Sequence, residues 1–187
     1  MTRAAVFLDR DGVLSRAVDV DGQPRTPMVA DEFEVLPEAA EACRRLRDAG
    51  YLLVVVTNQP DIARGLMDPT ELLAMHSSLL AQVPLDEIRV CPHDDGDGCA
   101  CRKPLPGMLR AAAADLGIDL GASVLVGDRW RDIEAGRAAG CQTVLVDHGW
   151  RERAPEGANA VARNLTGAVN WILAGTGAQW ARHEGAA

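Results

Sequence analysis

The sequence has few aromatic residues and no long apolar run. Aromatic side chains make up 4% of the 187 residues, so Val, Leu and Ala have to fill most of a core. The first apolar run is too short for a secretory signal. No stretch approaches the ~20 apolar residues that a membrane-spanning helix needs. We therefore expect no membrane partner.

Basic residues are outnumbered by acidic ones. The chain has 19 Lys and Arg against 27 Asp and Glu, which gives a net charge of −8. This excess argues against a nucleic-acid partner or an anionic membrane surface. It does not exclude a small anionic ligand, because a few cations can dominate the local charge inside a cleft.

Cysteine is scarce, and its spacing does not resemble a disulfide framework. Three of the five cysteines lie within residues 91–101. Clustered cysteines of this kind are typical of metal ligands in a reducing compartment, so we expect a cytoplasmic protein. We interpret Cys43 and Cys141 as small core residues.

Apolar runs alternate with segments of helical spacing along most of the chain. This alternation predicts an α/β fold, namely a Rossmann-like doubly wound parallel sheet with helices on both faces. We expect one domain over residues 1–175, without a large cap domain, and a flexible tail over residues 176–187. The chain should act as a monomer. Strands are predicted at residues 4–8, 51–57, 88–91, 123–128 and 142–147. Helices are predicted at residues 37–49, 68–82, 106–116, 132–139 and 165–173.

Two carboxylates follow the first predicted strand. Asp9 and Asp11 are two residues apart, so both can face one cleft while Arg10 points away. Two close carboxylates repel each other unless a cation lies between them, and Mg²⁺ prefers oxygen ligands. A solvated turn is the alternative interpretation of this segment.

Further polar residues follow other strands and should meet at the same sheet edge. Asp128 ends one strand and Asp132 lies four residues later, although an aspartate there is also an ordinary helix cap. Thr57 and Asn58 follow another strand and are able to hold a phosphate oxygen. Lys103 is a compact cation suited to a phosphoryl group.

The cysteine cluster has the composition of a closed zinc site. It supplies four soft or borderline ligands, which fits tetrahedral structural Zn²⁺ better than a disulfide, a catalytic thiol or a calcium loop. The loop follows the third predicted strand and is too short and polar to fold around its own core. A bound ion would therefore anchor the adjacent Arg102 and Lys103. The expected zinc ligands are Cys91, His93, Cys99 and Cys101.

Together these motifs resemble the haloacid dehalogenase superfamily of phosphohydrolases. The resemblance runs from about Val6 to Asp147. It implies that Asp9 is the nucleophile and Asp11 the general acid and base. It further implies Mg²⁺ at Asp9, Asp11 and Asp128, with Asp132 behind them. The phosphoryl group would lie against Thr57 and Lys103.

Within the superfamily, the zinc-loop pattern resembles both the D-glycero-D-manno-heptose-1,7-bisphosphate 7-phosphatases and the histidinol-phosphate phosphatases. The segments "TNQ…IARG" (residues 57–65) and "CRKPLPGM" (residues 101–108) resemble the heptose branch more. The resemblance implies a phosphorylated sugar substrate whose distal part is held by Arg102 and Arg129. Ser15, the pair Pro60–Asp61, the short zinc loop and Arg129 depart from this branch. The last two are closer to the related histidinol-phosphate phosphatases, so histidinol phosphate is the alternative substrate.

Two other interpretations stay open. Arg102 and Arg129 could pair with nearby acids instead of substrate. The whole chain could be a non-catalytic, zinc-stabilised binding protein on a phosphatase fold, although such a protein need not keep every catalytic side chain.

Overall fold

A six-stranded parallel sheet forms the centre of the computed structural model, in the order β5-β4-β1-β6-β7-β8. The structure describes residues 2–183, and side chains only as far as residue 175. The sheet strands are β1 (Ala5–Leu8), β4 (Leu52–Asn58), β5 (Glu87–Cys91), β6 (Val124–Gly127), β7 (Gln142–Val146) and β8 (Ala160–Ala162). The helices are α1 (Ala39–Asp48), α2 (Pro69–Gln82), α3 (Gly107–Leu116), α4 (Trp130–Ala139) and α5 (Leu165–His183). A separate hairpin pairs β2 (Val18–Val20) with β3 (Gln23–Arg25).

The two faces of the sheet are covered by different helices. In β1, Val6 and Leu8 belong to one apolar cluster, whereas Ala5 and Phe7 belong to the other. Side chains of α1, α2 and α5 pack into the first cluster, and side chains of α3 and α4 into the second. This alternation along a fully buried strand is what a doubly wound parallel sheet requires, and it confirms the predicted fold class.

The predicted elements agree with the structure to within a few residues, apart from the last helix. Asp68 caps α2 by accepting a hydrogen bond from the Thr70 amide at 2.8 Å, with Pro69 in the first turn as expected. Helix α5 continues to His183, well beyond the predicted end. The expected flexibility of residues 176–187 stays a prediction, and residues 184–187 lie outside the described part of the chain.

Three short strands were not predicted. All of β2 is exposed and β3 is mostly exposed, so neither has the alternating pattern that marks a half-buried strand. Strand β8 has only three residues. As a result, the cysteine-rich loop follows the fifth strand of the chain rather than the third.

Among the residues that the structure describes, no helix has the length and apolar character needed to span a bilayer.

The strand order places the topological switch point at β1. Its neighbours are β4 on one side and β6 on the other, and all three strands run parallel. Asp9 lies at the carboxyl end of β1, Thr57 at that of β4 and Asp128 at that of β6. Ligands of doubly wound sheets bind in the crevice at such a point, so the fold gathers the candidate site there.

Candidate active site and metal sites

Three carboxylates meet at the carboxyl edge of the sheet. Oxygen atoms of Asp9, Asp128 and Asp132 lie within 4.8 Å of one another, and all three residues are buried. Lys103 reaches this cluster with Nζ 2.9 Å from Asp9 Oδ1 and 2.5 Å from Asp132 Oδ1. Its Nζ also donates to the Val56 carbonyl at 2.7 Å. The structure therefore brings together four of the residues expected from the sequence.

The cluster is short of positive charge, with one ammonium group for three carboxylates. Burial raises the pKa of Asp9 to about 6, against the opposing charge of Lys103 and with a further rise from Asp132. Burial and the charges of Asp9 and Asp132 raise the pKa of Asp128 well above its usual value. Burial lowers the pKa of Lys103, but the two neighbouring carboxylates outweigh it and raise that pKa overall. The cluster therefore carries excess negative charge, which a further cation would neutralise.

Asp128 supplies direct support for a metal ion. Its buried Oδ1 has no hydrogen-bond partner among the described residues, while Oδ2 accepts from Trp150 Nε1 at 2.7 Å. Asp132 differs, because its oxygens accept from Lys103 Nζ and from the Arg129 amide. An unpartnered carboxylate oxygen among other carboxylates suits a hard divalent cation such as Mg²⁺. Asp9 and Asp128 are therefore the side chains that fit direct ligation, with Asp132 behind them.

A tight turn brings the loop after β1 against Asp128. Gly12 has a φ of +84°, and a Cβ atom built there would lie 2.2 Å from Asp128 Oδ2. Glycine is therefore required both by the backbone conformation and by the close approach of the carboxylate. Because Gly12 lies in the same short turn as Asp9, this contact sets the position of Asp128 relative to Asp9.

Asp11 is surrounded by hydrogen-bond donors. Its carboxylate accepts from Arg10 Nε and Nη2 at 3.0 and 2.8 Å, from Ser15 and Thr26 hydroxyls, and from Gln59 Nε2. Burial raises the pKa of Asp11, but the charge and hydrogen bonds of Arg10, with those of Thr26 and Gln59, outweigh it and hold that pKa below its usual value. In this arrangement Asp11 is ionised.

Arg10 is not among the residues that line the cleft, and its guanidinium turns back to pair with Asp11. Arg10 is fully buried, contacts His76 Nε2 through Nη1 at 3.2 Å, and lies over the Phe33 ring. Burial, followed by the Arg10 charge, lowers the pKa of His76 to about 4. A buried guanidinium needs an acidic partner, and Asp11 is the carboxylate that the turn brings within reach.

Thr57 and Asn58 lie at the end of β4 and line the same cavity as Asp9. Thr57 is buried, and its hydroxyl accepts from Gln59 Nε2 at 2.8 Å. Asn58 makes two 3.0 Å hydrogen bonds to the backbone of Lys103, one to its carbonyl and one from its amide. Both polar groups of the Asn58 side chain are thus engaged in holding Lys103.

Arg102 and Arg129 line the outer part of the cleft, but each has an acidic partner. Arg102 Nε donates to Asp95 Oδ1 at 2.7 Å and Nη1 to the His93 carbonyl at 3.2 Å. Arg129 forms an ion pair with Glu152, with Nε 3.0 Å from Oε2. The alternative interpretation, pairing with nearby acids, describes their contacts.

The four expected zinc ligands converge. Cys101 Sγ lies 3.2 Å from Cys91 Sγ and 3.3 Å from His93 Nδ1, and Cys99 Sγ lies 3.7 Å from Cys91 Sγ. Ligands at the Zn–S and Zn–N distances of roughly 2.3 and 2.0 Å stand about 3.5 to 3.8 Å apart in a tetrahedron. No disulfide links these cysteines, all of which are free. The observed separations of 3.2 to 3.7 Å are slightly shorter than or equal to that spacing, so a small outward shift of the ligands would accommodate a closed zinc site.

The zinc loop packs directly onto the start of α3. The Gly107 amide donates to the Ala100 carbonyl at 3.1 Å, and a Cβ at Gly107 would lie 2.1 Å from that oxygen. This contact spans the segment that contains Cys101 and Lys103. The backbone of Lys103 is therefore held on one side by the cysteine cluster and on the other by Asn58.

Thr26 and Ser15 are polar contacts of Asp11 that the sequence analysis did not assign. Thr26 follows the unpredicted hairpin, so no pattern placed it near the cleft. Ser15 was noted only as a departure from a family pattern, although its burial and its 3.0 Å hydrogen bond to Asp11 give it a structural role. Trp150 also lies beside the carboxylate cluster, because its Nε1 donates to Asp128 Oδ2.

Known proteins are similar to this chain in sequence and in fold. The HAD-hydrolase-like family model matches residues 100–168. A D-glycero-beta-D-manno-heptose-1,7-bisphosphate 7-phosphatase of Pseudomonas aeruginosa is 44% identical over 154 residues, which are 80% of this chain and 84% of that protein. A D-glycero-D-manno-heptose-1,7-bisphosphate 7-phosphatase of Thermosynechococcus vestitus is 36% identical over 195 residues, covering 92% of this chain and 96% of that protein. The chain belongs to the haloacid dehalogenase-like phosphatases.

The solved structure of a family member agrees with this assignment. The D,D-heptose 1,7-bisphosphate phosphatase from B. bronchiseptica, complexed with magnesium and phosphate, superposes with a TM-score of 0.78 and 37% identity. The match covers 91% of this chain and 98% of that one. The resemblance inferred from the sequence motifs is confirmed, and the family's phosphatase fold is the one described above.

Proposed function

We propose that this phosphatase removes the C7 phosphate of D-glycero-D-manno-heptose 1,7-bisphosphate through an aspartyl-phosphate intermediate. The observation that carries the chemistry is the orientation of Asp9. Its Oδ1 accepts from the Arg10 amide and from Lys103, while Oδ2 has no hydrogen bond with a described residue, and Asp9 lines the cavity. The substrate rests on the resemblance to the heptose bisphosphate phosphatases.

In the first step, Asp9 Oδ2 attacks phosphorus and the bond from phosphorus to the sugar oxygen breaks. Asp11 gives its proton to the departing sugar oxygen, which leaves as an alcohol. In the second step, water attacks the phosphorus of the aspartyl phosphate, and Asp11 takes a proton from that water. Inorganic phosphate leaves and the Asp9 carboxylate is restored. Two displacements replace one difficult hydrolysis.

Asp11 has to be protonated to act as the acid, and its present contacts favour the ionised form. Five donor atoms surround the carboxylate, two of them from Arg10. We infer that the negative charge of an arriving phosphate raises the pKa of Asp11. The carboxyl group then takes up a proton and gives up some of these hydrogen bonds.

Bound Mg²⁺ would neutralise charge on the phosphoryl group and on the carboxylates. Asp9, the Asp11 carbonyl and Asp128 would hold it, and the unpartnered Oδ1 of Asp128 supports this assignment. Asp132 fixes Lys103 from behind at 2.5 Å. Lys103 lowers the repulsion between the Asp9 carboxylate and an incoming phosphate.

Thr57 and Asn58 have different proposed tasks. The Thr57 hydroxyl lines the cavity and accepts a single hydrogen bond, so its proton is available to a phosphate oxygen. We reassign Asn58 from phosphate binding to positioning Lys103, because both of its polar groups are used on the Lys103 backbone. Structural Zn²⁺ at the cysteine cluster would hold the other side of the same segment.

Arg102 and Arg129 keep a proposed role in binding the distal part of the sugar phosphate. Each is already paired with an acid, Asp95 or Glu152, so a substrate phosphate would share or displace an existing ion pair. Exchanging one ion pair for another gains less binding free energy than pairing a cation that had no partner. These two arginines alone are therefore weak grounds for preferring a bisphosphate.

A substrate panel tests the proposed function. Zinc-loaded protein is assayed for phosphate release, with and without Mg²⁺, on both anomers of the heptose bisphosphate, histidinol phosphate and common sugar monophosphates. We expect Mg²⁺-dependent turnover with the highest kcat/KM on a heptose bisphosphate. Faster hydrolysis of histidinol phosphate would overturn the substrate assignment. Absence of turnover on every compound would instead favour the non-catalytic binding protein.

The remaining expectations about the chain are also proposals. We infer that it acts as a monomer in the cytoplasm, as a single domain over residues 1–175. The net charge of −8 supports the absence of a nucleic-acid partner. Size-exclusion chromatography with light scattering would measure the oligomeric state.

A further inference from the structure

The β2–β3 hairpin lies over the mouth of the cleft and is fastened at both ends. At its tip, the Arg151 amide donates to the Gly22 carbonyl at 2.7 Å, and Gln23 Nε2 donates to the Arg151 carbonyl. At its base, the Thr26 hydroxyl donates to Asp11 Oδ2 at 2.9 Å. Arg25 stands between these two attachments, at the end of β3. The hairpin therefore presents Arg25 from a fixed backbone.

Arg25 borders both parts of the cleft. It lines the inner cavity together with Asp9, Lys103 and Asp128. It also lines the outer part together with Arg102 and Arg129. A group bound at Asp9 and a second group bound farther out would thus both lie in a space that Arg25 adjoins.

Arg25 differs from the other cleft arginines in its lack of an acidic partner. Arg64, Arg102, Arg129 and Arg131 each form an ion pair with a described carboxylate. Arg25 is exposed and makes no ion pair or side-chain hydrogen bond with any residue in the described part of the chain. An anion that contacts Arg25 does not have to displace a carboxylate first.

We propose that Arg25 binds the second, non-reacting phosphate of a bisphosphorylated sugar and makes the enzyme prefer bisphosphates to monophosphates. A guanidinium presents paired N–H groups to two phosphate oxygens, which suits a phosphate better than a neutral hydroxyl group. The binding energy gathered there would orient the reacting phosphate at Asp9. This inference rests on the proposed phosphatase function but not on the identity of the sugar.

Steady-state kinetics on matched substrate pairs tests the proposal. Each pair is a bisphosphate and the monophosphate that keeps the reacting phosphate: heptose 1,7-bisphosphate with heptose 7-phosphate, and fructose 1,6-bisphosphate with fructose 6-phosphate. The variants are Arg25→Gln, which removes the charge, and Arg25→Lys, which keeps it. Arg3→Gln is the control, because Arg3 is also exposed and without an ion pair among the described residues but lies at the opposite edge of the sheet.

We expect Arg25→Gln to lower kcat/KM on the bisphosphate by about 10- to 100-fold and on its monophosphate by less than about twofold. Arg25→Lys should recover part of the loss, and Arg3→Gln should change neither value. Equal losses on both members of a pair, or none on the bisphosphate, would overturn the proposal.

The two proposals fail in different ways. If wild-type protein hydrolyses only the fructose pair, the heptose assignment is wrong and Arg25 is judged on the fructose compounds. If wild-type protein prefers no bisphosphate to its monophosphate but hydrolyses p-nitrophenyl phosphate with Mg²⁺, the phosphatase chemistry stands and the role of Arg25 is refuted. Thermal unfolding of each variant checks that the hairpin change leaves the fold intact.

Discussion

Nζ of Lys103 lies 2.5 Å from Oδ1 of Asp132, and both side chains are only 2% exposed. The pair also carries the contact from Lys103 to Asp9, so two buried carboxylates depend on one ammonium group. Removing one partner of a buried pair leaves an uncompensated charge, which is more destabilising than removing both partners.

Lys103→Met should therefore abolish turnover and lower the free energy of unfolding by about 3–5 kcal/mol. The double variant Lys103→Met with Asp132→Asn should regain part of that stability without regaining activity. Denaturant unfolding in Mg²⁺-free buffer, combined with a phosphate-release assay, measures both effects. If the double variant is less stable than Lys103→Met alone, the buried pair is not what sets the stability.

Asp9→Asn should remove essentially all turnover while the fold persists. The amide keeps the shape of the side chain but cannot form the aspartyl phosphate. Asp31→Asn is the control, because Asp31 is an exposed acid in the short helical turn before α1, outside the cleft. Mass spectrometry of protein quenched during turnover should find a phosphoryl group on wild-type Asp9. Appreciable activity in an Asp9→Asn preparation free of wild-type protein would refute the assignment.

The catalytic carboxylates were predictable because their signals are local. Asp9 and Asp128 end buried strands, and the parallel alternation of strands and helices places such ends at one edge of the sheet. The zinc ligands were predictable for a similar reason, since residues 91–101 hold all four of them. The residue types of each motif, and the strand or loop that carries it, can therefore be recognised from a short segment of sequence.

The ion pairs of the cleft were not predictable from the sequence. Arg129 and Glu152 are 23 residues apart, and their meeting depends on a loop after β7 that has no regular pattern. The hairpin escaped prediction because it has almost no buried face, so hydrophobic periodicity cannot reveal it. The pairing of Arg10 with Asp11 depends on a turn that curls the guanidinium back toward its own neighbour.

Mg²⁺ should stabilise the protein more at about pH 7.5 than at about pH 5. In the metal-free fold the pKa of Asp9 is about 6, above its usual value of 3.8, so the folded state holds the proton more tightly. That contribution to stability is complete below the usual pKa and is lost as the pH rises through the folded pKa. At the higher pH the ionised cluster then gains most from a cation.

Thermal unfolding with and without Mg²⁺ at the two pH values measures this difference. Asp128→Asn is the matched variant, because it removes one charge and the oxygen that lacks a partner. It should raise the Tm of the metal-free protein at about pH 7.5 and reduce the shift caused by Mg²⁺. Equal Mg²⁺ shifts at both pH values would contradict the charge argument.

The cysteine cluster should hold about one zinc ion per chain, and Cys99→Ser should lower the zinc content. Loss of the ion should loosen the loop and reduce kcat, because the backbone of Lys103 would lose one of its supports. Cys141→Ala is the control, since Cys141 is a buried thiol outside the cluster. Elemental analysis and kinetics follow both variants. Zinc-free protein that is fully active with Mg²⁺ would refute the structural role.

Asp11→Asn should affect the two steps of the reaction differently according to the leaving group. A sugar alkoxide needs a proton to depart, whereas p-nitrophenolate is stable enough to leave without one. The variant should therefore release about one equivalent of p-nitrophenol per active site in a rapid burst. Slow turnover follows, because water then lacks its base. On a sugar phosphate the same variant should show no burst and very little turnover. Stopped-flow absorbance measures the burst, with wild-type protein and Asp9→Asn as controls.

A burst from Asp9→Asn would mean that another group accepts the phosphoryl group. Unimpaired turnover of the sugar phosphate by Asp11→Asn would remove Asp11 from the mechanism and leave its hydrogen bonds to Arg10 and Thr26 as a structural feature of the turn.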